Sequence, residues 1–194
     1  FGLFLIAFII STSFGLIIGL WSVKTEPPSI AKWLTPLATL GLATPGFFIA
    51  TLFIVATIYY IMAFGQSTQA PLPLSGFGWD EHLVLPLIAL IIRPTAQIAQ
   101  TTAALLTGEF SKQYIVSARA FGNTWKSIRR KHALRNVLAL ILTNISGSLR
   151  YLLAELILVE WIFNWPGLGR LLALTLIPPS TSTVSGFGAH TIYF

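Results

Sequence analysis

Long apolar segments constrain this chain more than any other feature. Hydrophobic residues make up 55% of the sequence and charged residues only 9%, whereas a soluble domain carries about 25% charged residues. A helix needs about 20 apolar residues to cross a hydrocarbon layer, and four segments reach that length: 1–21, 33–64, 83–106 and 137–163. Because backbone polar groups in lipid must be paired within the segment, the sequence predicts an all-α integral membrane protein, a multi-span helical bundle.

The second apolar segment is too long for one upright helix. Its 32 residues would reach roughly 48 Å at about 1.5 Å per residue. Thr44-Pro45-Gly46 lies near its middle, and proline interrupts the hydrogen bonds of a helix. The sequence therefore predicts a lead-in at the membrane surface that is followed by a bent or tilted span.

Positive charge is concentrated between the third and fourth predicted spans. Residues 113–136 hold six of the 12 Lys and Arg residues, and they contain no Asp or Glu. Basic loops favour the cytoplasmic side of a membrane, so we expect residues 112–136 to be cytoplasmic. Lys24 and Lys32 are predicted to share that side. Residues 65–82 contain no Lys or Arg and are predicted to lie opposite.

The basic loop itself has a helical pattern. Apolar residues recur at helical spacing over 112–121, which predicts a short helix with one apolar face. Gly122 is predicted to end this helix, and Asn123 or Thr124 is predicted to cap the N-terminus of a second helix. The loop is thus predicted to be a helix-turn-helix with an apolar and a basic face. Composition alone also allows a simpler interpretation, a solvated loop that binds anionic lipid.

The third and fourth predicted spans each carry a polar stripe at helical spacing. A polar face in lipid is expensive, so both stripes are expected to look into the bundle, where they are candidates for a translocation path. The candidates are Arg93, Gln97, Gln100 and Thr101 in the third span and Asn144, Ser148, Tyr151 and Glu155 in the fourth. For Arg93 a second interpretation stays open, in which a neighbouring helix simply satisfies its charge.

Arg93 and Glu155 lie at similar distances along the chain from the basic loop. Because the two spans run antiparallel, the two side chains can lie at similar depth in the membrane. An unpaired charge at mid-membrane is costly, so we predict that Arg93 and Glu155 approach each other, directly or through Gln97 or Asn144. In the alternative, Glu155 pairs with Arg150, or Arg93 pairs with a partner subunit.

Several kinds of site are excluded or disfavoured. The chain has no Cys, which excludes disulfides and thiolate metal sites. It lacks a glycine-rich phosphate loop, so we expect it to bind no ATP and no other cofactor itself. Asp80 and His82 are too few for a metal site, and no catalytic constellation indicates an enzyme. The net charge of +6 is concentrated in one loop between spans and does not indicate nucleic-acid binding.

Residues 112–136 resemble the cytoplasmic coupling loop in the permease subunits of binding-protein-dependent ABC importers. That loop has the pattern Glu-Ala-Ala, three residues, Gly, nine residues, then Ile-x-Leu-Pro. Aligned on Gly122, the pattern matches Ala118 and Leu134 and departs at Val116, Ser117, His132 and Arg135. The chain resembles more closely the dipeptide, oligopeptide and nickel branch, through Ala118-Arg119-Ala120-x-Gly122 and His132-Ala133-Leu134-Arg135-Asn136. A second resemblance to this branch is Val159-Glu160 followed by Trp-Pro-Gly-Leu-Gly-Arg-Leu-Leu at 165–172.

The resemblance implies a transport system with several subunits in the plasma (inner) membrane of a bacterium or archaeon. The expected partners are a second permease, two cytoplasmic ATPases that hold ATP and Mg, an extracytoplasmic solute-binding protein and membrane lipid. The substrate would be a peptide, nickel or a related small solute. The resemblance implies that the loop docks on an ATPase through Ala118, Arg119, Phe121, Gly122, Trp125, Arg129, Arg130, His132 and Leu134. In that arrangement Ala118, Phe121 and Trp125 fill a cleft, and Arg119, Arg129 and Arg130 meet its acidic rim.

The resemblance also sets expectations about extent. Residues 1–177 would form the transmembrane domain and 178–194 a tail, with the family's final span absent and both ends truncated. Related permeases are expected to have a small residue near Glu155, so this charge is a departure. The competing interpretation is a secondary transporter that uses Arg93 and Glu155 for ion coupling, and a membrane enzyme is a third.

Overall fold

The computed structural model describes residues 2–64, 72–74 and 76–176. Its first half contains α1 (Gly2–Trp21), a two-stranded antiparallel hairpin of β1 (Val23–Thr25) and β2 (Pro28–Ile30), α2 (Leu34–Ala43) and α3 (Gly46–Phe64). Its second half contains a 3-10 turn (Glu81–Leu83), α4 (Val84–Phe110), α5 (Gln113–Ala120), α6 (Trp125–Ser127), a π-helical stretch (Ile128–Ala133), α7 (Leu134–Ile162) and α8 (Leu168–Leu176).

Four helices are long and apolar enough to cross a membrane: 2–21, 46–64, 81–110 and 125–162. They confirm the predicted multi-span helical bundle. The predicted break at Thr44-Pro45-Gly46 is also confirmed, because α2 ends at Ala43 and α3 begins at Gly46. The expected boundary at residue 177 and the tail 178–194 lie outside the described residues.

Two features of the fold were not predicted. Residues 23–30, which follow the first span, pair as a hairpin. The helix that contains the fourth predicted span begins before residue 137, since α6, the π-helical stretch and α7 run into one another as one helix from Trp125 to Ile162. The basic residues from Lys126 to Arg135 lie on its first turns, where water can solvate them, so their charge does not end the helix.

Helix α4 forms the centre of the bundle. Its buried residues include Ala89, Ala99 and Ala103, whose small side chains let neighbouring helices come close. Gly15 and Gly19 of α1 lie directly against it: an added Cβ would be 2.7 Å from Ile98 Cβ at the first position and 2.8 Å from the Ala99 carbonyl at the second. The spacing of these two glycines therefore marks the contact between α1 and α4.

The core divides into two clusters along the bundle. The first, which we call the outer cluster, joins α1, α3, α4 and α7 and includes Phe163 and Trp165. The second, the inner cluster, joins the hairpin, α2, α4, α5 and the start of the long helix, through residues such as Val23, Phe110 and Ile128. The hairpin, which carries Lys24, thus lies at the same end as residues 112–136, as predicted. The cytoplasmic assignment of that end rests on charge bias and stays a prediction.

Candidate functional site: a basic loop and a buried ion pair

The basic loop forms the predicted helix-turn-helix. Helix α5 ends at Ala120, and Gly122 adopts a positive φ of 81°, a conformation that side chains disfavour. The Thr124 hydroxyl accepts a hydrogen bond from the Ser127 backbone N–H at 3.4 Å, which caps the second helix. The Asn123 side chain donates to the Ala118 carbonyl at 3.1 Å. The turn is therefore held by its own hydrogen bonds.

One side of this helix-turn-helix is free within the described residues. Phe121 is 85% exposed, although a side chain of this size is usually buried. Arg119, Gly122 and Arg130 of the same loop are also exposed. Ala118 is half-buried. The exposed part of the loop thus contains a projecting aromatic side chain and two arginines.

The other side faces the protein's own body, and two of the predicted docking residues lie on it. Trp125 stacks edge-on against Phe110 with ring centroids 5.9 Å apart, and its indole N–H donates to the Glu26 carboxylate. Arg129 donates to the Val23 carbonyl at 3.1 Å and lies 6.0 Å from the Phe110 ring. Both residues are only half-buried, and their predicted roles at a partner's cleft and acidic rim stay predictions.

The hairpin is the physical reason why Trp125 and Arg129 face the protein's own body. It places Glu26 beside the loop, 3.7 Å from Arg119 Nε, while the Arg119 guanidinium lies 5.5 Å over the Trp125 ring. His132 is half-buried, and Leu134 packs against the inner cluster. The helical period of the loop indicates an apolar face, but it does not tell which apolar residues pack internally.

The predicted ion pair between the third and fourth spans is confirmed. Arg93 Nη1 donates to Glu155 Oε1 at 3.0 Å, and the Glu155 side chain is only 7% exposed while that of Arg93 is 31% exposed. Gln97 Nε2 donates to Asn144 Oδ1 at 3.3 Å. The two stripes therefore meet along one line between α4 and α7. Arg150, the alternative partner of Glu155, is exposed to the surroundings of the bundle.

The second oxygen of Glu155 faces the break between α2 and α3. A Cβ at Gly46 would lie 2.7 Å from Glu155 Oε2 and 3.0 Å from the Ala89 carbonyl, so only glycine fits without a shift. The carboxylate also faces the first turn of α3, where the partial positive charge of a helix N-terminus favours an anion. Among the described residues, Oε2 has no hydrogen-bond partner.

The remaining members of the stripes are distributed differently. Tyr151 is 40% exposed, and its ring lies 5.0 Å from the Arg93 guanidinium, so it joins the ion pair. Gln100 and Thr101 line a cavity nearer the basic loop. Ser148 is buried but donates within its own helix to the Ile145 carbonyl at 2.7 Å. Ser148 is therefore not brought into the line.

A buried carboxylate next to the basic loop escaped the sequence analysis. Glu109, in the last turn of α4, is 5% exposed and accepts from Lys112, Tyr114 and Asn136. Partial burial of Tyr114 and its hydrogen bond to the Glu109 carboxylate raise the pKa of the tyrosine hydroxyl to about 12. The available signal was the position of a single acidic residue at the end of an apolar span, directly before a basic segment.

Glu160 has a definite role at the opposite end of α7. It is 2% exposed, and its Oε2 accepts from the backbone N–H groups of Gly169 at 2.8 Å and Arg170 at 3.2 Å. The carboxylate thus binds the first turn of α8, and any side chain at Gly167 would collide with it. This contact joins the end of α7 to the first turn of α8.

The two tryptophans at this end of α7 differ in exposure. Trp161 is 54% exposed, whereas Trp165 is only 3% exposed. Trp165 packs against Phe77 and Trp79 with ring centroids 5.1 and 6.4 Å away.

Asp80 and His82 form a contact of 2.8 Å. The described residues contain no group of three His, Cys, Asp or Glu that could hold a metal ion.

Comparison with known proteins agrees with this geometry. The family model described as "Binding-protein-dependent transport system inner membrane component" matches residues 5–189. A putative peptide transport system permease protein of Brucella abortus is 29% identical over 182 residues, which are 94% of this chain and 58% of the relative. A dipeptide transport system permease protein of Lactococcus lactis is 32% identical over 163 residues, 84% of this chain and 51% of the relative.

A third similar protein is a glutathione transport system permease protein of Escherichia coli. It is 38% identical over 101 residues, which cover 52% of this chain and 33% of the relative. The chain therefore spans about half the length of the first two relatives.

Proposed function

This chain belongs to the family of binding-protein-dependent transport system inner membrane components, and from that premise we propose that it is a permease subunit of an ATP-driven importer of peptides. The proposed partners are a second permease, two cytoplasmic ATPases and an extracytoplasmic solute-binding protein. ATP and Mg belong to the ATPases. The permeases named above for peptide, dipeptide and glutathione transport support a peptide substrate. Nickel or a related small solute is the competing substrate class.

The observation that carries this proposal is the form of the basic loop. Phe121 projects from a turn that Gly122 makes tight, and Arg119 and Arg130 are exposed in the same loop. An exposed aromatic ring with basic neighbours suits an apolar cleft with an acidic rim on a partner. The same loop is bound on its inner side to the hairpin through Trp125 and Arg129. A partner that moves the tip would therefore move the bundle.

We propose that the line of polar side chains between α4 and α7 borders the transport path. Arg93 is 31% exposed and Tyr151 is 40% exposed, so both present polar atoms beside the bundle, whereas Glu155, which pairs with Arg93, is buried. Movement of the loop by the ATPases would change the position of α4 and α7 and open the path alternately to the two sides. Such coupling requires that the ATPases bind the two conformations with different affinities.

Transport in liposomes tests the proposal. The full-length protein would be reconstituted with its partner permease, ATPases and binding protein, and uptake of dipeptides, longer peptides and Ni²⁺ would be measured with and without ATP. We expect peptide uptake that requires ATP and the binding protein. ATP-dependent uptake of Ni²⁺ but not of peptides would overturn the substrate class.

A secondary transporter is the second candidate, because Glu155 is a buried carboxylate with one unpartnered oxygen among the described residues. That function predicts uptake driven by an ion gradient by this protein alone, without ATP. The same liposomes, with an imposed proton or sodium gradient and no ATPase subunit, distinguish the two. Gradient-driven uptake under those conditions would refute the proposed ABC importer.

A further inference from the structure

Glu109 lies where α4 ends and the basic loop begins, and three donors converge on it. Lys112 Nζ lies 2.7 Å from Oε2. Tyr114 Oη donates to Oε1 at 2.5 Å, and Asn136 Nδ2 donates to the same oxygen at 3.2 Å. Asn136 also donates to Tyr114 Oη at 3.1 Å. Because Glu109 belongs to α4, Tyr114 to α5 and Asn136 to α7, this one carboxylate joins three helices.

Helix α5 depends on such contacts for its position. It has eight residues, and Ile115 is its one buried residue. A helix this short is marginal in water by itself. Within the described residues, Ile115 and Ala118 of α5 pack against the inner cluster, and Arg119 contacts Glu26 and Trp125. The bond from Tyr114 to Glu109 joins α5 directly to the end of α4. Hydrogen bonds to a charged group are among the stronger ones available to a protein.

Stability alone does not explain a carboxylate at this point. Groups of buried charged residues are often no more stabilising than well-packed apolar residues of the same volume. Glu109 and Lys112 also line the cavity that contains Gln100 and Thr101, two members of the polar stripe. The cluster thus connects the basic loop with the inner end of the proposed path.

We infer that Glu109, Tyr114 and Asn136 are positioning residues that transmit movement of the basic loop to α4 and α7. This inference rests on the proposed function, since these three residues, which we call the joint, would carry ATP-driven movement from the basic loop to the transport path. Directional hydrogen bonds fix the angle between α5 and the two spans, which apolar packing at Ile115 alone does not do. Loss of the joint leaves the loop able to dock but unable to move the spans in step.

Hydrogen exchange of the α5 backbone tests whether the joint exists. The full-length protein in lipid nanodiscs would be compared with Tyr114→Phe, which removes only the hydroxyl, and with Glu109→Gln. We expect exchange of residues 113–120 to be about tenfold faster in both variants, because each loses a hydrogen bond to a charged group. Ser117→Ala is the matched control, since its hydroxyl donates only within α5, to the Gln113 carbonyl at 3.2 Å. Unchanged exchange in Tyr114→Phe would overturn the inference.

Swapping the carboxylate and the amide between positions 109 and 136 tests whether the joint transmits movement. In the reconstituted importer, Glu109→Gln and Asn136→Asp are each expected to lower peptide uptake per ATP hydrolysed by about tenfold. The double variant places the carboxylate at 136 and the amide at 109, so Tyr114 regains a charged acceptor and uptake per ATP recovers. A simple loss of structure would not recover in this way. A double variant no better than either single variant would refute transmission through this joint.

The two experiments separate this inference from the proposed function. If the parent complex shows no ATP-driven uptake, the proposed function fails, and with it the transmission role. Exchange in nanodiscs still shows in that case whether Glu109 holds α5 in place. If the parent transports and the single variants transport equally well per ATP, the proposed function stands and the joint is refuted.

Discussion

The ion pair between Arg93 and Glu155 is expected to show strong coupling when its members are replaced one at a time and together. Arg93→Gln leaves a carboxylate that is 7% exposed without its cation. Glu155→Gln leaves a guanidinium that is 31% exposed and still lies over the Tyr151 ring. The first change should therefore cost more than the second, and the double change should cost less than Arg93→Gln alone.

The magnitude follows from the geometry. At a separation of 3.0 Å, the attraction is about 5–6 kcal/mol for an effective dielectric constant near 20. Partial exposure of Arg93 screens part of this. Removal of one partner from a buried pair costs about 3–5 kcal/mol, which we expect for Arg93→Gln. We expect about 1–2 kcal/mol for Glu155→Gln and a similar cost for the double variant. The pairwise coupling, which is the sum of the two single costs minus the cost of the double variant, is then about 3–5 kcal/mol.

The assay is reversible unfolding of the full-length protein in mixed micelles, with peptide uptake in liposomes as a second measurement. Arg150→Gln is the matched control, because it removes the same charge from an exposed position on α7, and it should change the free energy of unfolding by less than about 0.5 kcal/mol. Additive losses in the double variant would show that the two charges do not interact and would refute the reasoning.

Further predictions concern the turn, the topology, α8 and the tyrosine in the loop. Gly122→Trp should abolish ATP-driven uptake while the spans still insert. The left-handed backbone at this position costs a residue with a Cβ roughly 1–2 kcal/mol, and the indole would lie in the docking surface. Uptake equal to that of the parent would contradict the docking role. A single Cys at Lys126 should react only with a reagent on the cytoplasmic side, and labelling from outside would reverse the orientation. Glu160→Gln should speed proteolysis at α8, because its first turn loses a charged acceptor worth about 1–2 kcal/mol, and equal cleavage rates would refute that role. The pKa of Tyr114 is raised to about 12, so its contribution to stability is complete below pH ~10 and is lost as pH rises towards 12. Tyr114 should therefore stay protonated at pH ~11, and the parent and Tyr114→Phe should then show equal phenolate absorbance.

Much of this protein follows from local patterns in its sequence. Segment length and hydropathy determine four spans, because a helix in lipid must satisfy its own backbone. Thr44-Pro45-Gly46 determines the break between α2 and α3. Gly122 determines the turn, since a positive φ favours glycine. The pairing of Arg93 with Glu155 also follows from sequence, because an unpaired charge in lipid is too costly and the two residues lie at matching distances from one loop.

Only the tertiary structure decides what the apolar and charged residues of the loop contact. The pattern of the loop does not distinguish Phe121 from Trp125, since it predicts both on the apolar face. In the structure Phe121 is 85% exposed, while Trp125 packs on Phe110 and donates to Glu26. Their difference comes from the hairpin at residues 23–30, which is about 100 residues away in sequence. The same holds for Glu109 and Glu160, whose partners come from other helices. Helical periodicity specifies the direction of a side chain around its own axis, but the neighbour that it meets depends on how the helices are arranged in space.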